Sequence, residues 1–319
     1  MRLLVAARGR LEHARFGDLP SFLAPGDLVV VNTSGTLAAA VDGRRSDGRA
    51  VTVHFATALD DGGWVVEIRP GADGGRTADG PVADGRPGDV VTLPDGVRLT
   101  VDAARPPGQH RLWRARVDVE GGVPAYLERH GRPIRYGYVP APVPLPEYQT
   151  VFAREPGSAE MPSAGRPFTA ELVVELVTRG VGVAPIVLHT GVSSQEPGEP
   201  PQPEPYRVSE STARAVNTAR AWGSRVIAVG TTVTRALESA ADATGVVRAR
   251  EGWTDLVLGP RRPARVVSGL VTGWHAPGAS HLDLLEAVAG AELVEQAYAE
   301  AVRRRYLWHE FGDSCLLLP

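Results

Sequence analysis

The chain has no lysine, so all 34 of its basic residues are arginine. A protein without lysine has no Schiff-base nucleophile, no anchor for pyridoxal phosphate and no Walker A phosphate loop. It has one cysteine, Cys315, in 319 residues. That excludes an internal disulfide framework and a cysteine-rich zinc site, and it fits a reducing compartment. No apolar run approaches the roughly eighteen residues of a membrane span, and the opening MRLLVAARGRLE turns charged too soon for a signal peptide. The expectation is a cytoplasmic protein that makes no membrane contact. The net charge of −3 excludes a wholly basic nucleic-acid binder, although a local arginine face still suits phosphates.

What is present supports a large core. With 43% hydrophobic and 22% charged residues, the chain suffices for one large domain or two smaller ones. Residues 26–31 (GDLVVV) read as a short buried strand ending at Asn32 and Thr33. From about 41 to 120 come short β-type runs (AVTVHFAT, GWVVEIRP, DVVTLP, VRLTVDA, LWRARVDV) separated by DDGG, GADGGRTADG and PDG. Runs of that length with turn chemistry between them predict a small antiparallel barrel or sandwich.

Beyond about 165 the rhythm becomes α/β. Leu172, Val173, Leu176 and Val177 have helical spacing over 170–179, with Gly180 as the stop. VGVAPIVLH reads as a strand, 209–222 as a helix closing at Gly223, RVIAVG as a strand and TTVTRALESAADA as a helix. TDLVL and RVVSGLVT read as further strands, and two helical segments lie near 279–306. Such alternation implies a parallel or mixed sheet with helices on its faces. Residues 193–206 (SSQEPGEPPQPEPY) read as a proline-rich loop.

The junction RVIAVGTTVTRALESA carries the clearest site signal. A buried strand ends at Gly230, and Thr231 and Thr232 open the next helix. Free N–H groups and hydroxyls there suit an anion or a polar ligand. Arg235 and Glu238 share one helix face. A Thr231 cap with an Arg235–Glu238 surface pair explains the same residues.

Several blocks together resemble the S-adenosylmethionine:tRNA ribosyltransferase-isomerase family of queuosine biosynthesis. They are GDLVVVNTS, YQTVFAREPGSAEMPSAGRPFT, VGVAPIVLHTG, RVIAVGTTVTRALESA, TDLVL, LVTGWHAPGASHLDLLEAVAG and AYAEAVRRRYLWHEFGDSCLLL, in the family's order. The resemblance implies a mixed-sheet α/β domain (1–40 and 133–319) interrupted by an inserted antiparallel β-barrel (41–132). It also implies transfer and isomerisation of the ribosyl part of S-adenosylmethionine onto an aminomethyl-7-deazaguanine base in tRNA. Adenine and methionine leave, and epoxyqueuosine forms.

A sulfonium acidifies the neighbouring C5′ hydrogens, so the reaction needs a general base and polar groups for the methionine carboxylate. At matching positions, His275, Glu204, His189 and Asp313 are the catalytic candidates. Gly230, Thr231, Thr232, Arg235 and Glu238, with Ser163, Ala164, Gly165 and Phe168 of MPSAGRPF, are the candidates for holding S-adenosylmethionine as co-substrate. MPSAGRPF also reads as a helix-entry loop. No metal is expected, because His275, His281 and Asp283 lack regular ligand spacing.

The departures fall in other blocks. NTSGTLAAAV lacks the family's two arginines and acidic residue, having Thr33, Gly35 and Ala40 there; LHTGVSSQEPGEP lacks its Gly-Thr-Phe turn. Only Gln202 and Glu204 represent the family's MHxE segment, and GWHAP keeps the histidine while losing an asparagine. Arginine forks are hard to replace at phosphates and carboxylates. Beside tRNA, the sequence therefore leaves open a small-molecule acceptor or cofactor cleavage without transfer, and, in another class, a non-catalytic nucleoside- or RNA-binding module.

Overall fold

The first four strands are β1 (Arg2–Ala7), β2 (Arg10–Arg15), β3 (Leu28–Asn32) and the short β4 (Ser34–Thr36). The computed structural model describes residues 1–71, 80–82, 84–136, 139, 141–192, 201–308 and 310–319. Six strands then close into a barrel: β5 (Ala40–Arg45), β6 (Ala50–Ala58), β7 (Trp64–Pro70), β8 (Val90–Thr92), β9 (Arg98–Ala104) and β10 (Leu112–Asp118). Each neighbouring pair in the barrel is antiparallel, so closure leaves no unpaired edge. The sequence alone admits a barrel or a sandwich. The β5–β8 pairing, which joins Arg44 to Thr92 and Arg45 to Val91, makes it a barrel. Its core gathers Val53, Phe55, Val66, Leu99 and Trp113.

Helix α1 (Gly122–His130) follows and leads back to the barrel's entry. Ala40 and Arg132 exchange both backbone hydrogen bonds, at 2.9 and 3.0 Å. At Gly131 the chain passes so close that a Cβ would lie 1.9 Å from the Ala38 carbonyl oxygen. Only glycine fits there.

The remaining elements are β11 (Glu155–Ser158), α2 (Ala170–Thr178), β12 (Gly182–Leu188), β13 (Glu204–Val208), α3 (Glu210–Ala221), β14 (Val226–Val229), α4 (Thr231–Ala240), β15 (Arg250–Thr254), β16 (Gly269–Thr272), α5 (Ser280–Ala289), α6 (Ala291–Arg303) and β17 (Ser314–Leu318). A nine-stranded sheet runs β15-β13-β12-β3-β14-β16-β17-β1-β2. Its centre, β12-β3-β14-β16, is parallel, whereas β16–β17 and β1–β2 are antiparallel, so the sheet is mixed. Alternation in β3 explains its central place. Leu28 and Val30 enter the core beneath α3 to α6, and Val29 and Val31 enter the other beside Phe168, Leu172 and Leu176 of the α2 side.

Three sequence expectations shift. The ladder expected over TDLVL is β15 and ends at Thr254, so Leu256 and Leu258 leave the sheet and turn into the core. The proline-rich loop expected over 193–206 lies outside the described residues up to 200, and from Glu204 onward the chain is strand β13. Helix α1 gives no sequence signal of comparable strength, because glycine and proline occupy its first turn.

Candidate active site

The parallel strands β3, β12, β14 and β16 all end at one side of the sheet, where ligands of open α/β sheets bind. Asn32, at the end of β3, fixes this edge. Its side chain donates to the Leu188 carbonyl (2.8 Å) and to Thr232 Oγ1 (3.4 Å), and it accepts from the N–H groups of Leu188 and Ser34. A cavity of about 510 Å³ opens beyond it. That is within the range of small-molecule sites.

Gly230 forms the floor. It sits at φ +94° between β14 and α4, donates its N–H to the Val271 carbonyl at 2.8 Å, and a Cβ there would lie 3.3 Å from that of Ala164. Thr231 and Thr232 follow it into the cavity lining, as do Ser163 and Ala164. No side chain caps α4, so its first N–H groups have no intrahelical partner. The Thr231 cap admitted from sequence is absent.

Arg235 and Glu238 are both buried, and they do not form the surface pair that the sequence admits. The Arg235 guanidinium donates to the carbonyls of Leu256 (3.2 Å), Thr254 (3.1 Å) and Gln202 (3.2 Å) and binds the Glu204 carboxylate. It lines the cavity while tying together the segments that wall it. Glu204 accepts from Arg235 and from the Gly191 N–H, so it is no solvated loop carboxylate. Glu238 accepts from the N–H groups of Arg265, Val266 and Val267 and lies outside the cavity lining.

His275 lines the cavity and stacks on His281 with ring centroids 4.5 Å apart and planes 5° from parallel. Its Nε2 lies 3.1 Å from Thr272 Oγ1, and its backbone N–H donates to the Tyr298 hydroxyl. Burial, with His281 beside it, holds the His275 imidazole well below its ordinary pKa. Burial, then the Arg235 charge, lowers His281 too. Both rings are therefore neutral at physiological pH, the form in which an imidazole accepts a proton. Trp274, next to them, packs on Tyr298 and Tyr306.

Two acids of the lining escape the sequence reading, Glu160 and Glu310. Tyr136 donates its hydroxyl to Glu160. Burial, then the Glu160 charge, pushes the Glu310 carboxyl up to about 8. Arg166 donates to the backbone carbonyls of Glu310 (3.2 Å) and Phe311 (3.1 Å), which fixes the turn that carries Glu310.

Besides Glu238, four candidates lie outside this cavity. His189 lines a second cleft, of about 440 Å³, with its Nδ1 2.7 Å from Ser34 Oγ. Asp313 accepts from the backbone N–H and Nε of Arg2 and from the Leu307 N–H, which pins β1 to the turn before β17. Gly165 lies against Thr150, and Phe168 packs edge-on against Phe16 and Phe152 in the core. Of MPSAGRPF the Met161–Ala164 half reaches the cavity, and the Gly165–Phe168 half does not. His275 and His281 stack without converging on Asp283. Among the described residues no group of three or more His, Cys, Asp or Glu is arranged to hold a metal ion.

A family model described as "Queuosine biosynthesis protein" matches residues 1–317. The chain belongs to the queuosine biosynthesis protein family. Relatives in that family include a protein of Symbiobacterium thermophilum, 38% identical over 99% of this chain and 92% of its own length. Another, from Thermus thermophilus, is 37% identical with the same coverage. Both are named S-adenosylmethionine:tRNA ribosyltransferase-isomerase. A crystal structure of S-adenosylmethionine tRNA ribosyltransferase from Thermotoga maritima superposes with a TM-score of 0.51 at 27% identity, covering 99% of this chain and 92% of that one. This queuosine family chain thus matches its relatives through both the sheet and the barrel.

Proposed function

We propose that this chain is an S-adenosylmethionine:tRNA ribosyltransferase-isomerase whose reaction takes place in the cavity at the N-terminus of α4. It transfers and isomerises the ribosyl moiety of S-adenosylmethionine onto 7-aminomethyl-7-deazaguanine in tRNA, giving epoxyqueuosine, adenine and methionine. The observation that carries the reading is the pairing, in one cavity, of an uncapped helix N-terminus with the neutral imidazole of His275. The relatives' shared name supplies the reaction.

The roles follow from the chemistry. The α4 N-terminus, with Gly230, Thr231 and Thr232, suits the methionine carboxylate, because unpaired N–H groups and the helix dipole favour an anion there. Ser163 and Ala164 leave room for a flat group. His275 is the base for the acidified C5′ position, and a buried neutral imidazole costs nothing to desolvate when substrate enters. Arg235 and Glu204 act as positioning residues, because they hold the walls. No membrane role is proposed: among the described residues no helix is long and apolar enough to cross a membrane. A cytoplasmic site of action fits a tRNA substrate.

The test is incubation with S-adenosylmethionine, with and without tRNA bearing the aminomethyl base, followed by mass spectrometry of adenine, methionine and the modified nucleoside. The expected result is all three products, and only with that tRNA. Cofactor breakdown that ignores tRNA overturns the acceptor assignment.

A further inference from the structure

Among the described residues, two polar atoms of the cavity lining are buried without a hydrogen-bond partner: Glu310 Oε1, an acceptor, and the Trp274 indole Nε1, a donor. Trp274 is only 3% exposed. Folded proteins rarely leave such atoms unpaired, and an orphan pair lining one cavity calls for an occupant. The charge around Glu310 is also one-sided. Glu160 repels it, and Arg166, the cation acting on it, is fixed to the carbonyls of residues 310 and 311 and lies 5.4 Å over the Phe311 ring. Tyr148 stands nearby with an unpartnered hydroxyl, raised by burial and then by Glu310. Trp308 adds a ring to the same lining, 6.3 Å from Trp274.

A cation with N–H donors on a flat, hydrogen-bonding ring satisfies all of these features. Both substrates of the proposed reaction carry cations, but only one cation has to lose a proton. The methionine ammonium keeps its proton throughout, and the sulfonium loses its charge only when its bond to C5′ breaks as methionine leaves. The acceptor amine, an ammonium in water, becomes a nucleophile only as the free base.

We infer that Glu160 and Glu310 receive the ammonium arm of the acceptor base, and that Glu310 takes its proton, while Trp274 and Trp308 hold the flat ring. This rests on the proposed function. In the step an N–H bond of the ammonium breaks, its electron pair stays on nitrogen, and an O–H bond forms on the Glu310 carboxylate. The neutral amine and the carboxylic acid together carry the same net charge as the ion pair they replace. A carboxyl already raised to about 8 is a far better match for an amine than an ordinary glutamate.

The experiment compares wild type, Glu310→Gln and Glu160→Gln over a range of pH. It measures kcat/KM for the aminomethyl tRNA and, separately, the dissociation constant of S-adenosylmethionine. Glu310→Gln is expected to lower kcat/KM for tRNA by about 100-fold. It also removes the rise in kcat/KM through the pH of about 8 at which Glu310 ionises. The amine's own ionisation is common to all three proteins and cancels. S-adenosylmethionine affinity should stay within about twofold. An unaltered pH profile overturns the inference, as does a loss of S-adenosylmethionine affinity, which would assign the acids to the cofactor's own cations. If Glu310→Gln does not fold by circular dichroism, Glu160→Gln decides. Weakened tRNA kinetics with intact cofactor binding supports the inference, and unchanged kinetics overturns it. If wild type releases no adenine, the proposed function fails and takes the inference with it. If wild type turns over and the variants match it, only the inference fails.

Discussion

The barrel interior and the cavity at the sheet's edge both bury a glutamate, and the two behave oppositely. Glu67 in the barrel takes a two-point contact from Arg69, at 2.8 and 3.1 Å, a third bond from Arg111 at 3.2 Å, and lies 3.3 Å from His54. Burial disfavours its charge, yet the bonds from His54 and Arg69 outweigh that and hold the carboxyl at about 2. Glu310 is pushed up to about 8, because nothing comparable compensates its burial. One network is closed on itself, the other open to whatever enters. A buried acid indicates function by what it lacks.

Removing the closed network should produce the largest change in stability. Glu67→Gln strands the charges of Arg69 and Arg111 inside the barrel, and the expected loss is about 3–5 kcal/mol in urea denaturation. Loss of turnover at unchanged stability would break the comparison. His275→Ala should do the reverse. It lowers turnover by about 10²–10⁴-fold in an adenine-release assay, with the melting transition nearly unmoved. Near-normal adenine release would remove His275 as the base.

The pH dependence of stability sharpens the contrast. The Glu310 carboxyl ionises near 4.5 when unfolded and at about 8 when folded. Between these values the unfolded chain has already released the proton that the folded chain retains, so wild type loses stability as pH rises through this window. With allowance for solvent screening the loss is on the order of 2 kcal/mol, and Glu310→Gln should flatten it in melts across that range. Glu300 gives the smallest effect. Its bonds to Arg303, outweighing desolvation, and those to His13 and Arg304 hold it at about 2, like Glu67. Its arginine partners, however, are more than half exposed. Glu300→Gln should leave the melting temperature unchanged, because solvent and salt screen such contacts.

The sequence conveys the architecture far better than the site. Alternation and Asp-Gly turns mark the barrel strands, and the apolar run ending at Gly230 locates the junction with α4, because local periodicity determines local structure. The family resemblance picks out His275, which does line the cavity. Glu160 and Glu310 go unread: they lie 150 positions apart in the chain, and only the sheet brings them together. Glu238 and Asp313 mislead for the complementary reason. A polar residue within a motif resembles a ligand contact, yet Glu238 here spends its carboxylate on the backbone N–H groups of a neighbouring turn, and Asp313 on Arg2 of β1 and the Leu307 N–H. Arg235 combines both cases, lining the cavity while its donors serve the walls.

The contact at Ala40 and Arg132 has a consequence for descent. The segments entering and leaving the barrel are hydrogen-bonded to each other at one neck, and the barrel docks on the sheet a second time where Trp253 Nε1 of β15 donates to Asp60 at 3.0 Å. An ancestor could acquire or exchange that entire loop through one recombination event at the neck, with the Trp253–Asp60 contact to the sheet to be re-made. A chimera joined at this neck, with Asp60 retained, would show whether the barrel or the cavity chooses the acceptor.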